Sequence, residues 1–245
     1  IGRSAENVKK VLALWSKYTE TDGGLIDDAD DIAEGSDVQR TLVIIKPDNF
    51  RFPSARPGNI IDLFSASGLR IIGAKIHRMS VAEGEQFYGP VQEVLRNKLK
   101  APSADRAAAA LREEFGFNLP ESVKTQIGEI VGPCFGDEQF YQIIEFMTGV
   151  RPTSVKPEDK AQPGTSRCLV LIYKGRNAIE RIRKILGPTD PSKAGPGSVR
   201  KEYGKDIMIN AAHASDAPEN AVREMGIVKP EADTINAWYE TYYKS

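Results

Sequence analysis

Hydrophobic positions along the chain change period several times, and each change predicts an element. Val8 to Tyr18 carries Val8, Val11, Leu12, Leu14 and Trp15, a spacing that predicts a helix. Thr41-Leu-Val-Ile-Ile45 is a β-branched apolar run halted at Lys46-Pro47-Asp48, as a buried strand would be. Pro57-Gly58 then opens a helix with Ile60, Ile61, Leu63 and Phe64 inward, and Ser67-Gly68 closes it. Leu69 to Met79 reads as a second strand. Val81 onward is helical through Phe87, Tyr88, Val91, Val94 and Leu95. A helix-like stretch through Ala107–Ala110 ends near Phe115, and Asn118-Leu-Pro120-Glu121 starts another. Phe140, Ile143, Ile144, Phe146 and Met147 form a further helical stripe, and a polar loop follows from Val150 to Ser166.

Cys168 to Tyr173 predicts a third strand, and Asn177 to Leu186 a helix with Ile179, Ile182, Ile185 and Leu186 inward. Gly187 to Gly204 reads as a long loop. Ile207 to Ala212 reads as a fourth strand giving way to a polar turn at His213. Pro218 to Met225 is a short helix that Gly226 would stop. This order predicts an antiparallel α/β sandwich with helices packed over one sheet.

Composition narrows the function classes. The chain has 245 residues, 40% hydrophobic and 27% charged, an ordinary globular balance with a net charge of −1. No basic excess points to nucleic acid or an anionic membrane. No apolar run is long enough to span a bilayer. Cys134 and Cys168 lie far apart with no metal-like spacing, which suits two reduced thiols in a cytoplasmic protein. Residues 1–40 hold nine acidic and five basic residues and read as an appendage: a helix and an acidic linker.

Candidate chemistry gathers late in the chain. His213 is one of two histidines and falls at a strand end, where its neutral ring could act as a nucleophile. His77, inside a strand, reads as an ordinary packed histidine. Lys46, Arg183, Thr189 and Arg200 supply an ammonium, two guanidiniums and a hydroxyl at strand ends, loops and a helix end, the donors that phosphate oxygens require. Neither a P-loop nor a G-x-G-x-x-G dinucleotide fingerprint is present. On spacing alone, the chain is an anion-binding α/β domain with a candidate reactive histidine.

Asn210-Ala-Ala-His213-Ala-Ser-Asp216 resembles the N-x-x-H-G-S-D signature of nucleoside diphosphate kinases. In the family's order, Thr41–Asp48 resembles its first strand and lysine, Gly68–Gly73 its second strand, and Glu85–Tyr88 its phosphate-side tyrosine. Arg183–Pro191 resembles the arginine–threonine segment, Gly197–Arg200 the loop arginine, and Asn220–Ile227 the closing helix. The resemblance implies a ferredoxin-like βαββαβ antiparallel sheet with helices on its faces, here with a helical insertion. The family-like domain would span 41–245, with insertions at about 96–137 and 150–166.

It also implies a ping-pong phosphotransferase. His213 would take the γ-phosphoryl group of ATP or another nucleoside triphosphate and pass it to a nucleoside diphosphate. Glu224 would hold the other ring nitrogen, with Ser215 supporting Glu224. Lys46, Tyr88, Arg183, Thr189 and Arg200 match phosphate and ribose contacts, Asn210 the ribose 3′-hydroxyl, and Phe140 the base-stacking position. Mg2+ would ride on the nucleotide phosphates, with no metal ligands from the protein. The resemblance further implies a homo-oligomer, with neither membrane nor sequence-specific nucleic acid as a partner. A nucleotide-binding or scaffolding module with little turnover is the alternative.

The chain departs from the family at Ala214, where the family has glycine, so a required positive φ there would alter activity. The segment 91–137 could act as a lid, a subunit contact or added helical bulk. Lys46-Pro-Asp48 also leads into Asn49-Phe-Arg-Phe-Pro-Ser-Ala, a lengthened path to the first helix.

Overall fold

The computed structural model describes residues 6, 7, 10, 11, 25, 35 and 37–232. Most of the helix expected over Val8–Tyr18 and of the acidic linker lies outside the described residues. The chain divides into two compact units, one formed by Ile1–His77 with Arg167–Ser245, the other by Arg78–Ser166.

The first unit is built on β1 (Val38–Ile45), β2 (Arg70–His77), β3 (Cys168–Arg176) and β4 (Ala212–Ala214). The sheet order is β2-β3-β1-β4 and every pairing is antiparallel. With α1 (Arg56–Ser65) between β1 and β2 and α5 (Ala178–Leu186) between β3 and β4, this is the βαββαβ arrangement that the family resemblance implies. Alternation along the strands sorts the residues by face. Val43, Ile45, Leu171 and Tyr173 join Ile60 and Phe64 of α1 and Ile182 and Leu186 of α5 in one core, which also takes in Ala212 and Ala214. His213 therefore points to the opposite face, opposite Ile44 in the register. The last α-helix among the described residues, α7 (Pro218–Val228), packs against β1.

Three elements of this unit differ from the sequence prediction. The fourth strand is Ala212–Ala214, not Ile207–Ala212. Asp206 Oδ1 accepts from the Met208 and Ile209 amides at 2.8 and 2.7 Å, and the Lys205 amide donates to Ile209 O at 2.7 Å. Those bonds close a local turn, so this backbone joins no ladder. The loop Gly187–Gly204 contains a helical turn, α6 (Val199–Tyr203), whose Val199 is buried. Helix α7 runs through Gly226 to Val228, where Lys229 takes φ +47 and Pro230 follows. One exposed glycine costs a helix only about 1 kcal/mol, too little to end it.

The second unit holds α2 (Val81–Lys98), α3 (Lys100–Phe115) and α4 (Glu121–Thr148). Ser80 and Glu83 make a reciprocal capping box at the start of α2. The helix expected from Glu121 and the stripe around Phe140 are one continuous 28-residue helix, with Pro133 inside it. Gly128, Gly132 and Gly136 sit four residues apart on one face of α4. A Cβ at Gly132 would lie 2.6 Å from Lys100 Cα, and one at Gly136 would lie 2.6 Å from Arg96 Cα. The glycines thus let the α2–α3 junction pack backbone against backbone. Arg96 and Asp137 fasten that junction, with Nε to Oδ1 at 2.7 Å and Nη2 to Oδ2 at 3.0 Å.

Candidate active site

The central side chain is His213, the middle residue of β4. Its Nε2 lies 2.9 Å from Glu224 Oε2, one turn before the end of α7. Ser215 Oγ donates to the same oxygen at 2.8 Å, and Arg223 Nη2 approaches the other at 3.4 Å. Glu224 is only 4% exposed and Ser215 is fully buried. A carboxylate collecting these donors accepts a proton-bearing Nε2, which directs the lone pair of a neutral ring to Nδ1.

Immediately upstream the backbone turns sharply. The Ala212 amide donates to Asn210 O at 2.8 Å, and Ala211 takes φ +70. That is a γ-turn of the rare, strained kind. The positive φ that the sequence placed in question at Ala214 thus falls at Ala211. Ala214 is an ordinary strand residue with its methyl in the core.

Around this turn, Lys46 Nζ donates to Asn210 Oδ1 at 2.6 Å and Met208 O at 3.2 Å. Asn210 Nδ2 donates to Thr189 O and Ile207 O, at 3.1 and 2.7 Å. Arg200, buried to 6% exposure, donates to Gly187 O, Thr189 Oγ1 and Ala212 O, at 3.0, 3.5 and 3.3 Å. Strand end, loops and helical turn therefore make a network of Lys46, Thr189, Arg200 and Asn210 that reaches the Ala212 carbonyl, next in the chain to the set of His213, Ser215 and Glu224. Arg183, near the end of α5, acts on it through charge.

The electrostatics concentrate positive charge here. Removal from water pushes Lys46 down to about 8; Arg200 pushes the same way, opposed by Asp48 and Asp206. Burial first, and Arg183 second, push Arg200 down to about 10. Cations held out of water and repelling one another are arranged to receive negative charge. Burial pushes the Asp48 carboxyl up, against the pull of Lys46, Arg56 and Arg51.

A sequence model described as nucleoside diphosphate kinase matches residues 157–234, the stretch that carries every residue of the network except Lys46. Nucleoside diphosphate kinase from Pyrobaculum aerophilum is 29% identical over 202 residues, covering 77% of this chain and 93% of that one. The enzyme of that name from Bdellovibrio bacteriovorus is 29% identical over 199 residues, covering 81% and 98%. Along most of its length the chain is similar to nucleoside diphosphate kinases. The crystal structure of nucleoside diphosphate kinase from Encephalitozoon cuniculi, 20% identical, superposes with a TM-score of 0.52 over 80% of this chain and 92% of that one, which shows the shared fold.

Two residues that the family resemblance selected lie in the second unit. Tyr88, on α2, and Phe140, on α4, belong to the helical unit and are buried there, with their rings beside Phe87 and Tyr141 respectively. Conversely, sequence reasoning passed over Asn49, Arg56 and Ala211. Asn49 Nδ2 donates to Ala211 O at 2.8 Å and to Lys46 O at 3.1 Å, and its Oδ1 accepts from Arg56 Nε at 3.2 Å. The one signal available was position, since Asn49 lies three residues after Lys46 on the lengthened path to α1. Cys134 is exposed, Cys168 is buried, and they are not bonded to each other. Among the described residues no helix is long and apolar enough to cross a membrane.

Proposed function

We propose that this chain is a nucleoside diphosphate kinase that works through a phosphohistidine on His213. The observation that carries the reading is the Glu224 carboxylate 2.9 Å from His213 Nε2, buried and shared with Ser215. Binding a nucleotide requires no such device, whereas a nucleophile does. Nδ1 attacks the γ-phosphorus of a nucleoside triphosphate, the bond to the β,γ-bridging oxygen breaks, and the diphosphate leaves. A β-phosphate oxygen of a second diphosphate then attacks the phosphohistidine and restores the ring. Glu224 steadies the imidazole as its charge changes, and Ser215 steadies Glu224.

Lys46, Arg183, Thr189 and Arg200 neutralise the charge carried by the phosphoryl oxygens, the main task in phosphoryl transfer. Asn210 binds the ribose 3′-hydroxyl. Tyr88 and Phe140 are assigned to phosphate and base through the family resemblance alone. The donor set is cationic and hydroxylic, suited to phosphate rather than to a metal, so magnesium enters with the nucleotide as part of the substrate. A cytoplasmic homo-oligomer completes the reading. The insertions, at about 96–137 and 150–166 of a domain spanning 41–245, serve assembly or access. Ile71 and Ile76, exposed on the edge strand β2, offer apolar surface for assembly.

Intact mass after brief mixing with ATP and magnesium, quenched in alkali, tests the proposal. A gain of about 80 Da, reversed by a nucleoside diphosphate and absent from His213→Ala, is the expected result. Nucleotide binding with no adduct would instead identify a binding module. Retained transfer in His213→Ala would remove the mechanism.

A further inference from the structure

We infer that Asn49 is a positioning residue for His213, acting through the strained carbonyl of Ala211. The inference rests on the phosphohistidine reading and concerns a residue outside the matched motifs. Asn49 is 2% exposed, in the 3₁₀ turn Pro47–Phe50 that follows β1. Ala211 O is held by two donors from that short segment: the Lys46 amide at 2.9 Å and Asn49 Nδ2 at 2.8 Å. The carbonyl they hold belongs to the central residue of the γ-turn, at φ +70. An alanine does not rest there unaided.

The turn leads directly into the site. Asn210 precedes Ala211, and the peptide fixed at Ala211 O begins the strand whose next residue is His213. Relaxation of Ala211 to negative φ would swing that peptide and move both the ribose-side amide and the imidazole. Asn49 opposes this with its donor side, while its acceptor side receives Arg56 Nε at 3.2 Å. Arg56 in turn donates to Tyr203 O at 2.7 Å and stacks over the Tyr203 ring, so the amide is locked in one orientation.

The two sides of the amide can be separated. Asn49→Asp keeps the volume and the acceptor for Arg56, but turns an oxygen toward Ala211 O where a donor stood. Ala211→Gly removes the need for a clamp, because glycine takes positive φ without a steric penalty. The measurement is the rate of phosphohistidine formation at saturating ATP, by rapid quench, with the thermal midpoint recorded alongside. Asn49→Asp should slow formation about tenfold, the worth of one well-placed hydrogen bond. In the Ala211→Gly background the same substitution should cost less than about threefold. Should Asn49→Asp not fold, Asn49→Ala in the two backgrounds makes the same comparison.

An unchanged rate, or an equal loss in both backgrounds, would overturn the inference and leave Asn49 a structural residue joined to Arg56. A wild-type chain that forms no adduct would instead overturn the parent reading, and this inference with it.

Discussion

Lys46 is the residue whose behaviour departs furthest from its sequence appearance. In the sequence it is a lysine at the end of a strand, and most such lysines are solvated. In the structure it is half-buried beside Arg200, and desolvation pushes it down to about 8. Phosphate prefers the ammonium form, so occupied Lys46 is pushed back up. As pH rises through about 8 the unoccupied chain loses the charge that the substrate needs. The kcat/KM for nucleotide should therefore fall above that pH, by up to about tenfold per unit, while kcat at saturation changes less. A pH–rate profile between 7 and 10 in kcat/KM checks this, and a flat profile would remove Lys46 from the phosphate site. His213, Lys46, Arg200 and Asn210 could be picked out as candidates in the sequence, because each falls within a short motif. Asn49 was not legible, since its role depends on a carbonyl that lies 162 positions away.

At the scale of elements, periodicity located β1, β2, β3, α1 and α5 within a few residues, because each presents an apolar face to one core. It failed at β4. Apolar Ile207, Met208 and Ile209 imitate a strand, yet Ile207 is exposed and Asp206 gathers the backbone into a turn. In α4, Gly128, Gly132 and Gly136 are spaced for close helix approach, a pattern easily mistaken for weak helix propensity. Gly132→Ala separates those readings. On propensity alone it would stabilise the helix by about 1 kcal/mol. With Lys100 Cα 2.6 Å from the new methyl, it should instead destabilise, by about 1–3 kcal/mol in urea unfolding. A gain in stability would show that the glycines do not set the α3–α4 approach.

For the whole molecule, the concentration of cations has a thermodynamic consequence. Arg200 lowers the proton affinity of Lys46, and Arg183 that of Arg200, a cost that the unliganded fold carries. A nucleoside triphosphate that binds only the folded chain should raise the thermal midpoint, by the equivalent of about 2.7 kcal/mol at a hundredfold excess over Kd. Added salt should shrink the shift by weakening nucleotide affinity. Differential scanning calorimetry with ATP, at low and high ionic strength, measures both. No shift at either ionic strength would deny the cluster its role as a phosphate site.

By itself, the sequence determined the strand and helix order, the antiparallel sheet class and the candidate nucleophile. All three are written locally, in the period of apolar residues and in a motif a few residues long. Tertiary structure decided what depends on distant partners. It joined Lys46 to Asn210 and Arg200 to Thr189, carrying groups far apart in the chain to one sheet edge. It pushed Lys46 below its ordinary range, by desolvation first and by Arg200 second. It placed the positive φ at Ala211 rather than Ala214, because Lys46 and Asn49 bind that carbonyl. Local sequence encodes which conformations a segment prefers. Only the packed chain supplies the donors that hold a residue where its own preference would not.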